Sequence, residues 1–169
     1  MTLCIAAAFK EGVLCATDSS ISIGNNRLTS PTIKGIPLEQ GFVMFSGMLA
    51  QAQEVLKSCN RISELSLTSK EVVKEADDEN DGLEFLAVDK NGHISYIDDS
   101  GAVLGAKGYA AIGHASTLGL ALLEMIYQPN RSEQWLRNHI ENIMRIVEKY
   151  DSTVFRPTRF HVVPAIVAQ

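Results

Sequence analysis

The chain has 169 residues, 46% of them apolar and 21% charged, which suits one folded unit with a full-sized core. A net charge of −5 and a pI near 5.3 argue against a nucleic-acid-binding surface. The sequence shows no apolar run near the ~20 residues of a membrane-spanning helix and no signal peptide. Cys4, Cys15 and Cys59 lack metal-type spacing and read as reduced, buried thiols of a cytoplasmic protein; no metal or cofactor is called for.

In chain order, residues 2–9 are apolar on both alternating faces, as in a strand covered on both sides. Residues 13–20 read as its hairpin partner, with Lys10-Glu11-Gly12 as the loop. If Phe9 faces Val13, Cys4 sits opposite Asp18 and Thr2 opposite Ser20. That register brings Thr2 and Asp18 to one face, as diagonal neighbours ~7–8 Å apart. Glycines and prolines across 21–41 limit strands there to short or irregular pieces. Residues 41–47 form a buried strand, and Leu49, Ala52, Val55, Leu56, Cys59 and Ile62 follow with helical spacing. Thr68-Ser69-Lys70-Glu71 has a capping-box pattern that would open a second helix. Residues 77–81, Asp-Asp-Glu-Asn-Asp, read as a solvated acidic loop, an ion site being the lesser alternative.

Residues 83–97 form a hairpin around Asn91-Gly92. A strand at 109–112 leads into a helix from Ser116 to Tyr127, apolar nearly all round and so expected at the centre of the core. Ser132 caps the next helix, whose stripe is Leu136, Ile140, Ile143, Val147 and Tyr150. Residues 159–167 make a last strand. Runs of strands separated by pairs of helices imply an α+β fold, with two sheets face to face and a helix pair outside each.

Thr2, Asp18 and Lys34 fall at equal intervals of 16 residues. Removal of Met1 would leave Thr2 with hydroxyl and amine together. That amine has a reference pKa of ~7.7–8.0 and can take the hydroxyl proton near neutral pH. Taken singly, Asp18 reads as a strand-end carboxylate and Lys34 as a surface lysine. The set resembles the proteasome β subunits and, more closely, the bacterial HslV peptidase, which begin at a catalytic Thr with an Asp and a Lys at this spacing. Ala16–Asn25, Phe45–Ala50 and Ala111–Ser116 resemble that family's loop after the second strand and its two glycine turns.

The resemblance implies a four-layer αββα sandwich of the N-terminal-nucleophile hydrolase type. It implies an N-terminal threonine endopeptidase in a homo-oligomeric ring, acting on peptides or unfolded proteins and fed by an ATP-dependent unfoldase. It assigns Thr2 as nucleophile, Asp18 and Lys34 as its electrostatic support, and the Gly47 amide as oxyanion donor. Ser22 would bind substrate backbone; Phe45 and Leu49 would line a side-chain pocket or merely pack. His114 stands where the family has a serine. It replaces that serine beside the amine, marks a lost activity, or is a half-exposed histidine at a helix start. Asp151 either orients the amine or ends a helix. An inactive structural subunit and a small-molecule amidase are the competing functions.

Overall fold

In a computed structural model, residues 2–23, 26–29, 34–75 and 82–164 are described, without the side chains of 22–23, 26–29 and 73–75. The acidic loop at 77–81 and the last residues of the expected final strand lie outside them. The elements run β1 (Cys4–Phe9), β2 (Gly12–Thr17), β3 (Ser20–Ile23), β4 (Asn26–Thr29), β5 (Gly35–Leu38), β6 (Gly41–Ser46), α1 (Leu49–Ser58) and α2 (Leu65–Glu75). They continue with β7 (Glu84–Asp89), β8 (Ile94–Ile97), β9 (Val103–Ala106), β10 (Tyr109–Ile112), α3 (Ser116–Ile126), α4 (Glu133–Tyr150) and β11 (Arg159–Pro164).

Strands β10-β1-β2-β11 form one antiparallel sheet and β5-β6-β7-β8-β9 another, with β3 and β4 as a separate ribbon. Alternation along β1 explains the layering. Leu3, Ile5 and Ala7 point to α3 and α4, where they meet Leu123, Leu136, Ile140, Ile143 and Val147. Cys4 and Ala6 point the other way, onto Phe42, Met44, Leu86 and Val88 of the second sheet. The far face of that sheet, Val43, Phe85, Ala87 and Ile97, is covered by Ala52, Val55 and Leu56 of α1 and Leu65 of α2. The result is the expected αββα stack, and the doubly apolar β1 is central because both of its faces are covered.

The local departures have physical reasons. The first hairpin turns on Lys10 and Glu11 alone, and Gly12 pairs with Phe9 as a strand residue. The register is therefore one residue away from the expected one, with Cys4 opposite Thr17. Helix α1 stops at Ser58, where Cys59 takes an extended conformation, so Ile62 belongs to a separate 3-10 turn. The second helix opens at Leu65, not at Thr68. It continues directly from the 3-10 turn at Ile62–Glu64, whose own start is capped by the Glu64 carboxylate accepting from the backbone amides of Asn60 (2.8 Å) and Arg61 (3.1 Å). Thr68, the expected cap, therefore lies inside α2, and its neighbour Ser69 is buried there and donates across to the Asp98 carbonyl.

Helix α3 is an outer-layer element rather than the centre of the core: it buries Gly119 and Leu123 and leaves Met125 81% exposed. Strand β9 has no counterpart in the sequence reading; its Val103 and Leu104 are exposed at the sheet edge, where the apolar pattern gives no inside. Ser132 does cap α4, its hydroxyl accepting from the Trp135 amide. The α4 stripe holds from Leu136 to Val147 but ends before Tyr150, which is 79% exposed.

Ile140→Ala should accordingly lower stability by ~2–5 kcal/mol, the range for truncating a buried aliphatic side chain. Tyr150→Ala should change it by less than ~0.5 kcal/mol. Denaturant unfolding of the two variants checks both, and similar losses would contradict the burial assignment.

Candidate active site

The site lies where β1 enters the first sheet. The one-residue shift of the hairpin sets Leu3, rather than Cys4, against Asp18. The Asp18 amide donates to the Leu3 carbonyl (3.1 Å), and the Leu3 amide donates back to Asp18 Oδ1 (3.0 Å). Oδ2 accepts from the Ser20 amide (2.9 Å). A carboxylate just past the end of β2 is thus held by two backbone donors. The next residue is fixed from the other end of the chain. Ser19 donates through its amide to the Phe155 carbonyl (2.9 Å) and through its hydroxyl to the Pro157 carbonyl (2.7 Å).

Lys34 completes the cluster. Its backbone is clamped between the sheets: its amide donates to Thr17 Oγ1 (3.2 Å), and its carbonyl accepts from the Phe45 amide (3.3 Å). Its ammonium donates to Asp18 Oδ1 (2.9 Å) and to Thr2 Oγ1 (2.8 Å). Thr2, Asp18 and Lys34 are 6%, 1% and 7% exposed. Thr2 and Asp18 therefore meet through Lys34 and not as diagonal neighbours across the hairpin.

A buried ammonium donating to a hydroxyl oxygen favours the negative charge that develops there on deprotonation, and Asp18 supplies the counter-charge. Cys4 lies within the electrostatic reach of Lys34 and Asp18 and donates to the Phe45 carbonyl (3.4 Å). Burial holds its thiol well above the usual range, outweighing the opposite pull of Lys34, so it stays a neutral thiol.

Two glycine turns lie at this end of the sandwich: Gly113 abuts Thr2, and Gly47 follows Ser46, whose hydroxyl oxygen would lie 3.1 Å from a Cβ at Gly113. Gly47, between β6 and α1, has a φ of +110°, and a Cβ there would come 3.0 Å from the Gly82 carbonyl oxygen. Gly113, after β10, has a φ of +98°, and a Cβ there would lie 2.0 Å from the Thr2 carbonyl oxygen. Only glycine permits that approach.

The other expected site residues divide. His114 follows Gly113 and is largely exposed, its Nε2 4.0 Å from Asp151 Oδ2. Asp151 ends α4, with Oδ1 accepting from the Thr153 amide (2.9 Å) and hydroxyl (2.5 Å). Asp151 thus stands at the end of a helix, with Oδ2 toward His114. Phe45 packs against the α1–α2 core from its half-buried position, whereas Leu49, at the first turn of α1, is 40% exposed. Ser22 lies in β3 opposite Arg27, and its side chain is outside the described residues.

Thr17, Ser19, Thr153 and Glu84 are site neighbours that the sequence reading missed. The Glu84 carboxylate accepts from the Gly113 amide (2.8 Å). A signal for it was present: it is the one charge within the apolar stretch Leu83–Val88. Thr153 had none, since its role depends on how α4 ends. Among the described residues, no cluster of three or more His, Cys, Asp or Glu could hold a metal ion, and no helix is long and apolar enough to cross a membrane.

A family model described as Proteasome subunit matches residues 82–163, a stretch that includes the Ala111–Ser116 turn and none of Thr2, Asp18 and Lys34. No curated protein matches the sequence. Among solved structures, Anbu (ancestral beta-subunit) from Yersinia bercovieri superposes with a TM-score of 0.76 at 16% identity, covering 96% of this chain and 81% of that one. A eukaryotic HslV from Trypanosoma brucei gives 0.74 at 18% identity, covering 96% and 99%. An Anbu mutant from Hyphomicrobium sp. strain MC1 gives 0.76 at 13% identity, covering 98% and 88%. The fold is that of the proteasome-type N-terminal-nucleophile hydrolases.

Removing one member of the buried ion pair leaves the other uncompensated. Asp18→Asn should therefore cost ~3–5 kcal/mol of stability, and adding Lys34→Met should restore part of that loss. Denaturant melts of the single and double variants check this; a double variant no better than Asp18→Asn would refute the pairing argument.

Proposed function

We propose that this chain, folded as the proteasome-type N-terminal-nucleophile hydrolases are, is a threonine peptidase that cleaves peptide bonds through Thr2 after removal of Met1. The observation that carries the reading is the buried Lys34 ammonium 2.8 Å from Thr2 Oγ1, itself held by Asp18. A scaffold subunit has no use for a desolvated lysine aimed at a hydroxyl, because a buried charge is costly and that hydroxyl needs no cation to be satisfied.

In this mechanism Thr2 Oγ1 attacks the scissile carbonyl. The free α-amine of Thr2 accepts the hydroxyl proton and delivers it to the leaving amine. Lys34 stabilises the developing alkoxide. The tetrahedral oxyanion accepts from the Gly47 amide in the turn that opens α1. Collapse releases the amine product and leaves an ester on Thr2. Water, deprotonated by the same amine, then hydrolyses that ester. His114 and Asp151 lie beyond the Gly113 turn that abuts the Thr2 main chain, and they act on the amine side of the site. Phe45 and Leu49 shape the entry for the residue before the cleaved bond, and Ser22 pairs with the substrate backbone. As the resemblance to HslV-type peptidases implies, the working form is a homo-oligomeric ring that takes peptides or unfolded chains, in concert with an ATP-dependent unfoldase, in the cytoplasm.

A peptide epoxyketone closes a ring with the hydroxyl and the free amine of an N-terminal threonine. Intact mass should show loss of Met1 and one adduct per chain, absent in Thr2→Ala, which should fold normally and lack turnover. A processed chain that forms no adduct with any of several peptide sequences would overturn the reading in favour of an inactive subunit or a small-molecule amidase. Lys34→Ala should keep the processed N-terminus and lose at least ~10²-fold in kcat, the scale of one preorganised electrostatic group. Near-normal turnover in that variant would reduce Lys34 to a structural role.

A further inference from the structure

Glu84 opens β7, and its carboxylate makes two separate contacts. Oε2 accepts from the Gly113 amide (2.8 Å), and Oε1 accepts from the Tyr96 hydroxyl of β8 (3.1 Å). Its main chain pairs with Ser46, the residue before Gly47, in the β6–β7 ladder. One residue thus touches both the Gly113 turn, which abuts Thr2, and the strand end just before Gly47. Through its backbone it fixes the strand end that launches the Gly47 turn. Through its side chain it ties down the turn whose Gly113 abuts the Thr2 carbonyl oxygen. The two turns come from different sheets: Gly47 follows β6 of the five-stranded sheet, and Gly113 follows β10 of the four-stranded sheet. Glu84 therefore bridges the sandwich at the edge of the site.

We propose that Glu84 is a positioning residue that sets the spacing between the Gly47 amide and the Thr2 nucleophile by locking the Gly113 turn to β7. The inference rests on the reading of Thr2 as nucleophile and deepens it. A near-attack geometry tolerates little error, and displacement by about 1 Å can cost on the order of 10²-fold in rate. The Thr2 main chain is held from one side by strand pairing of the residues after it, and the Gly113 turn closes the other side. A glycine turn has no side chain to anchor it, so its placement depends on the bonds its backbone makes.

A carboxylate suits the task because it accepts on both oxygens at once, and its bond to an amide is charge-assisted. Tyr96 in turn orients the carboxylate. Its phenol is pushed up to about 12, first by burial and then by the Glu84 charge, so it remains a donor across the working pH range.

Three variants separate position from charge. Glu84→Gln keeps the length and one acceptor oxygen, Glu84→Asp keeps the charge but withdraws the carboxylate by one methylene, and Glu84→Ala removes both. The expected order of kcat is wild type, then Gln lower by roughly ten-fold, then Asp and Ala lower by roughly 10²-fold, at unchanged KM. The rate of epoxyketone adduct formation should follow the same order. The readout independent of turnover is amide hydrogen exchange over residues 45–48 and 112–115, which should accelerate in both segments together in Glu84→Ala and, less, in Glu84→Gln. An effect confined to KM, or faster exchange at 112–115 alone, would overturn the proposal. Wild-type kcat in Glu84→Gln and Glu84→Asp would overturn it as well. If the processed wild-type chain neither turns over nor forms an adduct, the reading of Thr2 fails, and the exchange data still decide whether Glu84 couples the two turns.

Discussion

A lysine ammonium held away from water against one carboxylate and one hydroxyl is the constraint around which this end of the molecule is organised. Burying Lys34 requires a counter-charge in direct contact, and that counter-charge must itself be satisfied. Asp18 meets both demands because its two oxygens take the ammonium and two backbone amides. Those amides belong to Leu3 and Ser20, so the ion pair also stitches the entry of β1 to the exit of β2. Thr2 then has one place to go, between the ammonium and the Gly113 turn.

The wider fold supplies rigidity to this arrangement. Strand β1 is central in its sheet, paired with β2 on one side and β10 on the other. Its side chains enter two different cores, the helix layer and the space between the sheets. A residue at the mouth of such a strand inherits its fixed position without long side-chain networks of its own. The contacts that are specific to the site lie in the last residues before and after strands, at Asp18, Lys34, Gly47 and Gly113, where backbone leaves the ladder and can turn toward Thr2.

The layers were legible in the sequence because they rest on period and burial. Leu3, Ile5 and Ala7 against Cys4 and Ala6, and Leu136 to Val147 on α4, carry patterns that only one packing satisfies. The triplet Thr2, Asp18 and Lys34 was legible only through its spacing and a resemblance, since each residue alone has an ordinary reading. The hairpin register was misread because glycine after two polar residues suggests a looser turn than the chain makes. The start of α2 was misread because the side-chain pattern at 68–71 does not reveal the 3-10 turn that runs into the helix at Leu65. Helix α3 was placed too deep because an all-round apolar helix signals a need for cover without saying which molecule supplies it. Glu84 and Thr153 escaped notice because their contacts join segments far apart in sequence, which no local pattern records.

The pairing of β1 has a consequence for the order of assembly. Thr2 is synthesised long before the partners that fix it, and Gly113 emerges from the ribosome roughly a hundred residues later, with Phe155 and Pro157, which hold Ser19, later still. Contacts of such separation form late, after a large loop-closure cost. A growing chain can thus display its threonine while having no structured surroundings for it. The contacts that surround Thr2 are completed only when nearly the whole chain has been made, so this corner of the fold is among the last to be set.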